Sequence, residues 1–229
     1  MTRTRGAVDR PASLSIAAVI FDCDGVLVDS EPIAGAILAA TLTELGLPTT
    51  PSDVDRDFKG RSWEDGLEVV EARRGAAPWP DLRARYRERL FAAFEEQLAA
   101  VTGIEAALDA ISLPRCVASS GDHERIRRGL GAAKLLGRFE DAAIFSVDDV
   151  ARGKPAPDLF LHAAARMGFE PGRTAVVEDS PAGVEAGVAA GMLVLGYAER
   201  TDAELLRAAG AVAFERMAEL PALLGAARE

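Results

Sequence analysis

Two aspartates one residue apart, Asp22 and Asp24, end an apolar run and are followed at once by Gly25 in the stretch AAVIFDCDGVLVDSE. Crowding two carboxylates at the end of a strand raises the cost of ionising both, so the pair persists where a cation or a shared proton offsets the repulsion. Other polar residues follow apolar runs in the same way: Ser119, Ser120 and Gly121 after RCVA, and Glu178, Asp179 and Ser180 after TAVV. Lys154 stands in ARGKPAPD, ahead of two prolines. Carboxylates at 22, 24 and 179 are hard oxygen donors suited to Mg2+, which keeps several waters and takes a phosphate oxygen beside a few carboxylates. Lys154 and Ser119 then supply a cation and a hydroxyl for an incoming phosphate.

The elements that must bring these residues together are legible as alternation. Short apolar runs recur at IAAVIFD (16–22), RCVASS (115–120), AAIFS (142–146), TAVVED (174–179), MLVLGY (192–197) and AVAF (211–214), with helical spacing between most of them, as in Ile126, Leu130, Ala133 and Leu159, Ala163, Met167. Strands alternating with helices predict a Rossmann-like α/β fold, a parallel sheet flanked by helices. Ligands of such sheets bind at the carboxyl ends of the strands, which is where the residues above fall. One insert breaks the rhythm: residues 31–98 hold no strand-like run and read as helices, the first ended by Gly46 with Pro48 and Pro51 marking a turn. The expected organisation is a core of residues 1–30 and 99–229 carrying a small all-helical cap of residues 31–98.

Composition bounds the rest. The chain has 229 residues, 49% of them hydrophobic and 27% charged, which suits one globular core with an appendage. A net charge of −10 argues against a nucleic-acid partner. Two cysteines, Cys23 and Cys116, lie inside strand-like runs, so no disulfide framework is expected and a reducing cytoplasm is the expected compartment. The N-terminal MTRTRGAVDRPASLS lacks the apolar segment of a secretion signal and is read as a frayed tail. No run approaches the ~20 apolar residues of a spanning helix, so no membrane partner is expected.

In this order the motifs FDCDGVLVDSE, ASS, GKPAPD and VVEDSPAGVEAGVAAGM resemble the haloacid dehalogenase superfamily, in its phosphatase and β-phosphoglucomutase-like branch with a helical cap inserted after the first strand. The likeness runs over essentially the whole chain. It implies that Asp22 is the nucleophile forming an aspartyl-phosphate and that Asp24 is the acid, then base, for the leaving oxygen and the water. Ser119 and Lys154 would bind the phosphoryl oxygens, with Ser120 and the backbone at Gly25 beside them. Asp22, Asp24 (through its backbone carbonyl), Glu178 and Asp179 would hold Mg2+. In the cap, Lys59 and Arg61 flank Gly60 in FKGRSWEDG, where capped members present a loop over the substrate; the alternative is a solvated basic turn.

Competing readings differ in what they require. A calcium loop would need an acidic residue at Ile20, and Pro155 after Lys154 rules out a P-loop. Ser119 or Ser120 would serve equally as a helix cap, Ser120 the better placed, and Glu178 as a strand-end carboxylate held by backbone donors. Gly183, Gly187 and Gly191 read as a small helical face packing closely on the sheet, and His123 and His162 as structural or solvated. Dehalogenase and phosphonatase chemistry would lack Asp24. Related mutases carry a histidine where this chain has Ala34 and a cap arginine where it has Trp63, with Arg61 two residues earlier, so hydrolysis of a small phosphorylated metabolite, such as a sugar phosphate, is expected over a sugar phosphomutase. A non-catalytic binding member is the remaining class. A monomer is expected, with a dimer left open.

Overall fold

The computed structural model describes residues 15–58 and 63–226. Lys59 and Arg61, and the tail before Ser15, lie outside the described residues. Six parallel strands form one sheet: β1 (Ala18–Phe21), β2 (Arg115–Ser119), β3 (Ile144–Ser146), β4 (Thr174–Glu178), β5 (Leu193–Tyr197) and β6 (Val212–Phe214). Their order is β3-β2-β1-β4-β5-β6, so β1 is central, paired with β2 on one side and β4 on the other. All six expected strands are present, and the polar residues that follow β1, β2 and β4 converge at one edge.

Side chains alternate along each strand and feed two separate apolar layers. Val19, Phe21, Val117, Ala175 and Val177 join one cluster, while Ile20, Cys116, Ala118 and Val176 join the other. The first layer is closed by α5 (Ile104–Ala110), α6 (His123–Ala132) and α10 (Leu220–Ala226). The second is closed by α7 (Asp158–Met167), α8 (Pro181–Ala189) and α9 (Ala203–Ala209). Strands buried on both faces explain the near-continuous apolar runs.

Between β1 and α5 the chain forms α1 (Glu31–Glu44), α2 (Pro51–Asp57), α3 (Trp63–Arg74) and α4 (Leu82–Gln97), with no strand among the described residues. The chain turns between α1 and α2 through Gly46, at φ +88°, and Pro51 opens α2 behind the Thr50–Asp53 capping box. Leu42, Val70 and Leu82 form a small apolar cluster of the insert's own, whereas Tyr86, Leu90, Phe91 and Phe94 of α4 join the sheet's first layer. The insert leaves and re-enters the core side by side: Asp29 N–H donates to Ala99 O at 3.0 Å and Val101 N–H to Leu27 O at 3.0 Å.

Candidate active site

Most site residues are held just past the end of a strand or by the first turn of the helix that follows. Asp22, one residue past β1, is buried, and its N–H donates to Val177 O at 2.9 Å. The chain then folds back on itself, with Gly25 N–H on Val28 O at 2.8 Å and Val28 N–H on Cys23 O at 3.0 Å. Gly25 has φ +78°, and a Cβ there would lie 2.2 Å from Asp179 Oδ2, so only glycine lets this turn pass the second acidic pair.

Lys154 reaches into the centre from the segment ahead of α7. Its Nζ donates to Asp22 Oδ1 at 2.6 Å, Glu178 Oε1 at 2.6 Å and Ala118 O at 3.2 Å, and its side chain is only 5% exposed. Burial alone would lower the lysine pKa; the charges of Asp22 and Glu178 and their hydrogen bonds raise it instead. The opposite happens to the carboxylates. Burial, opposed by Lys154 and assisted by the charge of Glu178, pushes Asp22 up to about 7. Asp179 is raised by burial and by the charges of Glu178 and Asp22.

Asp22, Glu178 and Asp179 each offer an oxygen, all within 4.8 Å of one another, and all three are buried. Three buried oxygen donors, two of them (Asp22 and Asp179) raised by burial and neighbouring charge, fit a hard divalent cation, which offsets that cost. Glu178 is the most heavily occupied of the three. Its Oε2 accepts from Asp179 N–H (2.9 Å), Ser180 N–H (2.8 Å) and Ser180 Oγ (2.9 Å), so the strand-end role set out from sequence describes one half of this carboxylate and the Lys154 contact the other.

Asp24 stands in a different environment although only Cys23 separates it from Asp22. Arg125, in the first turn of α6, donates from Nε to Oδ2 at 3.1 Å and from Nη2 to Oδ1 at 3.2 Å, and Ser30 Oγ donates to Oδ1. Burial would raise this carboxyl, but the charge and hydrogen bonds of Arg125 and the bond from Ser30 hold it below the usual range. Its carboxylate is engaged by Arg125 and Ser30 and is not one of the three that converge within 4.8 Å. Arg125 and Ser30 were not singled out from the sequence. The available signal was charge balance: four carboxylates at the strand ends with one lysine call for a second cation, and α6 starts beside them.

Ser119 is buried, and its Oγ accepts from Gly121 N–H at 3.1 Å. Ser120 is exposed. Neither caps the following helix, contrary to the alternative left open above; Asp122 does, accepting from Arg125 N–H at 2.9 Å, because α6 begins three residues beyond Ser120. The three glycines of PAGVEAGVAAGM also divide. A Cβ on Gly187 would lie 2.6 Å from Val194, the close packing expected, whereas one on Gly183 would lie 1.8 Å from Glu178 Oε1. Gly191 ends α8 at φ +75° with open space around it. His123 Nε2 faces Asp149 Oδ1 at 2.9 Å, and the His162 ring packs edge-on against Phe145.

The haloacid dehalogenase-like hydrolase family model matches residues 16–191. The chain belongs to that family. It is 32% identical to the 6-phosphogluconate phosphatase of Escherichia coli K12 over 209 residues, 91% of this chain and 94% of that protein. It is 30% identical to the β-phosphoglucomutase of Bacillus subtilis over 193 residues, 80% and 83% of the two chains. The crystal structure of a conserved haloacid dehalogenase-like protein from Agrobacterium tumefaciens superposes with a TM-score of 0.82 at 35% identity, covering 94% of this chain and all of that one. Among the described residues no helix is long and apolar enough to cross a membrane.

Proposed function

We propose that this hydrolase releases phosphate from a small phosphorylated sugar or sugar acid, with Asp22 as nucleophile and Asp24 as proton donor and acceptor. The observation that carries the reading is the contrast between the two aspartates: one is set among buried carboxylates and Lys154, the other is paired with Arg125. Neighbouring carboxyl groups driven apart by their surroundings take different chemical roles.

In the first half-reaction an Asp22 oxygen bonds to phosphorus while the ester P–O bond breaks, and the leaving oxygen takes a proton from Asp24. In the second, a water oxygen bonds to phosphorus, Asp24 takes its proton, and the Asp22–phosphorus bond breaks to release phosphate. A dianionic phosphoryl group brought beside Asp24 opposes Arg125 and raises the carboxyl pKa toward the donor form. Lys154 and Ser119 orient the phosphoryl oxygens and offset the charge on Asp22. Asp22, Glu178, Asp179 and the Asp24 carbonyl are the groups proposed to hold Mg2+, which supplies charge that keeps the carboxylates ionised and neutralises the phosphoryl group. Residues 31–98 act as a cap over this edge, hinged where the chain segments at Asp29 and Ala99 meet, with Lys59 or Arg61 touching the part of the substrate that is not transferred.

Hydrolysis is favoured over mutase chemistry by the cap. Trp63, at the position where related mutases carry an arginine, stacks on Tyr86 with ring centroids 5.5 Å apart, and Ala34 packs against the apolar core. No cation and no imidazole is offered at those two positions to re-bind a sugar for return transfer. A panel of sugar, polyol and sugar-acid phosphates, including 6-phosphogluconate, assayed with Mg2+ for inorganic phosphate and for isomerised ester, tests the reading. Phosphate release that stops with EDTA and falls at least about a thousandfold in Asp22→Asn is expected. Isomer without phosphate, or Asp22→Asn within about tenfold of the natural enzyme, refutes it.

A further inference from the structure

The guanidinium of Arg125 is the best-connected charged group near the site that the reaction above does not use. It rests on the phosphatase reading only in needing Asp24 to move a proton. Four features converge on it. The helix cap at Asp122 fixes the start of α6 and hence where the side chain leaves. Gly121 faces its stem, since a Cβ there would lie 3.2 Å from Arg125 Cδ. The two hydrogen bonds to Asp24 engage both carboxylate oxygens, one on each nitrogen, which fixes direction as well as distance. The guanidinium also lies 5.8 Å from the ring of Phe94, on α4.

An aspartate side chain has few bonds to hold it, and a proton donor misplaced by about 1 Å loses most of its effect. Oδ2 of Asp24 accepts from Arg125 alone among the described residues, so it keeps a lone pair for the proton it must carry. The geometry points to Arg125 as the positioning residue of the leaving-group step: it fixes the direction of the Asp24 carboxylate and, through its contact with Phe94, ties that placement to α4. α4 is the helix by which the insert joins the main apolar layer, through Tyr86, Leu90, Phe91 and Phe94.

The test is a double-mutant cycle read as kcat/KM on two esters, which reports the first phosphoryl transfer in each. The alkyl ester is the best substrate of the panel above and the aryl ester is p-nitrophenyl phosphate, whose leaving group scarcely needs a proton. Arg125→Met is expected to lower kcat/KM about thirtyfold to a hundredfold on the alkyl ester and less than about fivefold on the aryl ester, within the range of general acid catalysis. In an Asp24→Ala background the same change should cost less than about threefold, because the group it positions is gone. Arg125→Lys should restore part of the alkyl activity. Costs of Arg125→Met and Asp24→Ala that multiply, or equal losses on both esters, overturn the assignment. Should Arg125→Met not fold, Arg125→Lys decides by the same ratio, and an alkyl-to-aryl ratio unchanged from the natural enzyme overturns it. An enzyme that releases no phosphate from any ester instead refutes the phosphatase reading itself, and the Arg125 role with it.

Discussion

Gly183→Ala is the substitution for which the structure makes the sharpest demand. On a helix such a change is ordinarily favourable by about 1 kcal/mol. Here the new Cβ would lie 1.8 Å from Glu178 Oε1, 1.9 Å from Cδ and 2.4 Å from Oε2, against a floor of 3.0 Å for real contacts. The gap must open by more than about 1 Å. Glu178 cannot yield freely, because Lys154 holds Oε1 at 2.6 Å while Asp179 N–H, Ser180 N–H and Ser180 Oγ hold Oε2. Nor can α8 back away cheaply, since Ser180 is both its cap, accepting from Gly183 N–H at 3.1 Å, and a Glu178 donor. Losing two hydrogen bonds to a charged group costs about 1.5–3 kcal/mol each. After the helix gain, a net loss of about 2–5 kcal/mol remains, equivalent to a fall in Tm of about 4–20 °C for a chain of this size. Scanning calorimetry with and without Mg2+ checks it, with a Mg2+ requirement raised about tenfold or more because the carboxylate set is displaced. Gly187→Ala, which meets Val194 instead, should lower Tm without moving the Mg2+ requirement. A Gly183→Ala protein with unchanged Tm and Mg2+ requirement would refute the reasoning.

Lys154→Met should remove nearly all activity and cost ~3–5 kcal/mol in denaturant unfolding, because it leaves Asp22 and Glu178 buried without their cation; an unchanged midpoint would count against the bridge. Both thiols should resist a disulfide reagent at pH 8 in the folded protein and react once it is unfolded: burial pushes Cys116 up to about 12, and burial with the charges of Asp24 and Asp22 raises Cys23 as well. Rapid labelling of the native enzyme would show the burial to be wrong. Replacing Lys59 and Arg61 together by alanine should lower kcat/KM for the alkyl substrate much more than for the aryl ester, and equal losses would favour a solvated turn.

What the sequence made legible follows from range. Fully buried parallel strands write themselves as short apolar runs, so β1 to β6 were all visible, and the rule that loops converge at strand carboxyl ends then brought Asp22, Ser119, Glu178 and Asp179 to one edge before any coordinate. The helical insert was visible for the opposite reason, the absence of any strand pattern between residues 31 and 98. Contacts fixed by tertiary packing left no local trace. Gly183 looked like Gly187 because both recur every four residues, yet one makes room for a carboxylate and the other for Val194. Asp122 displaced Ser120 as the cap because the helix starts later than the serine pair, a boundary that propensity does not resolve. Arg125 sits in an arginine-rich turn, ERIRR, where Arg127 pairs with Asp141 and Arg128 with Glu124, so its residue type alone did not separate it from solvated neighbours.

The opening pair of aspartates can now be understood as a problem of charge placement. Asp22, Asp24, Glu178 and Asp179 carry four negative charges when ionised, and Lys154 and Arg125 return two positive ones. The two cations are not shared evenly: Lys154 is spent on Asp22 and Glu178, and Arg125 on Asp24. The deficit therefore falls on the Asp22–Asp179 side, where both carboxyl groups are raised, and not on Asp24, which is lowered. A divalent cation held by that side closes the balance at two charges, and a dianionic phosphoryl group that followed it in would reopen the deficit beside Asp24. On this account the arginine does more than neutralise an aspartate. By taking Asp24 out of the acidic cluster it lets one aspartate serve the cation and phosphorus while the other is kept for the proton, a division that two unassisted carboxylates separated by a single residue could not maintain.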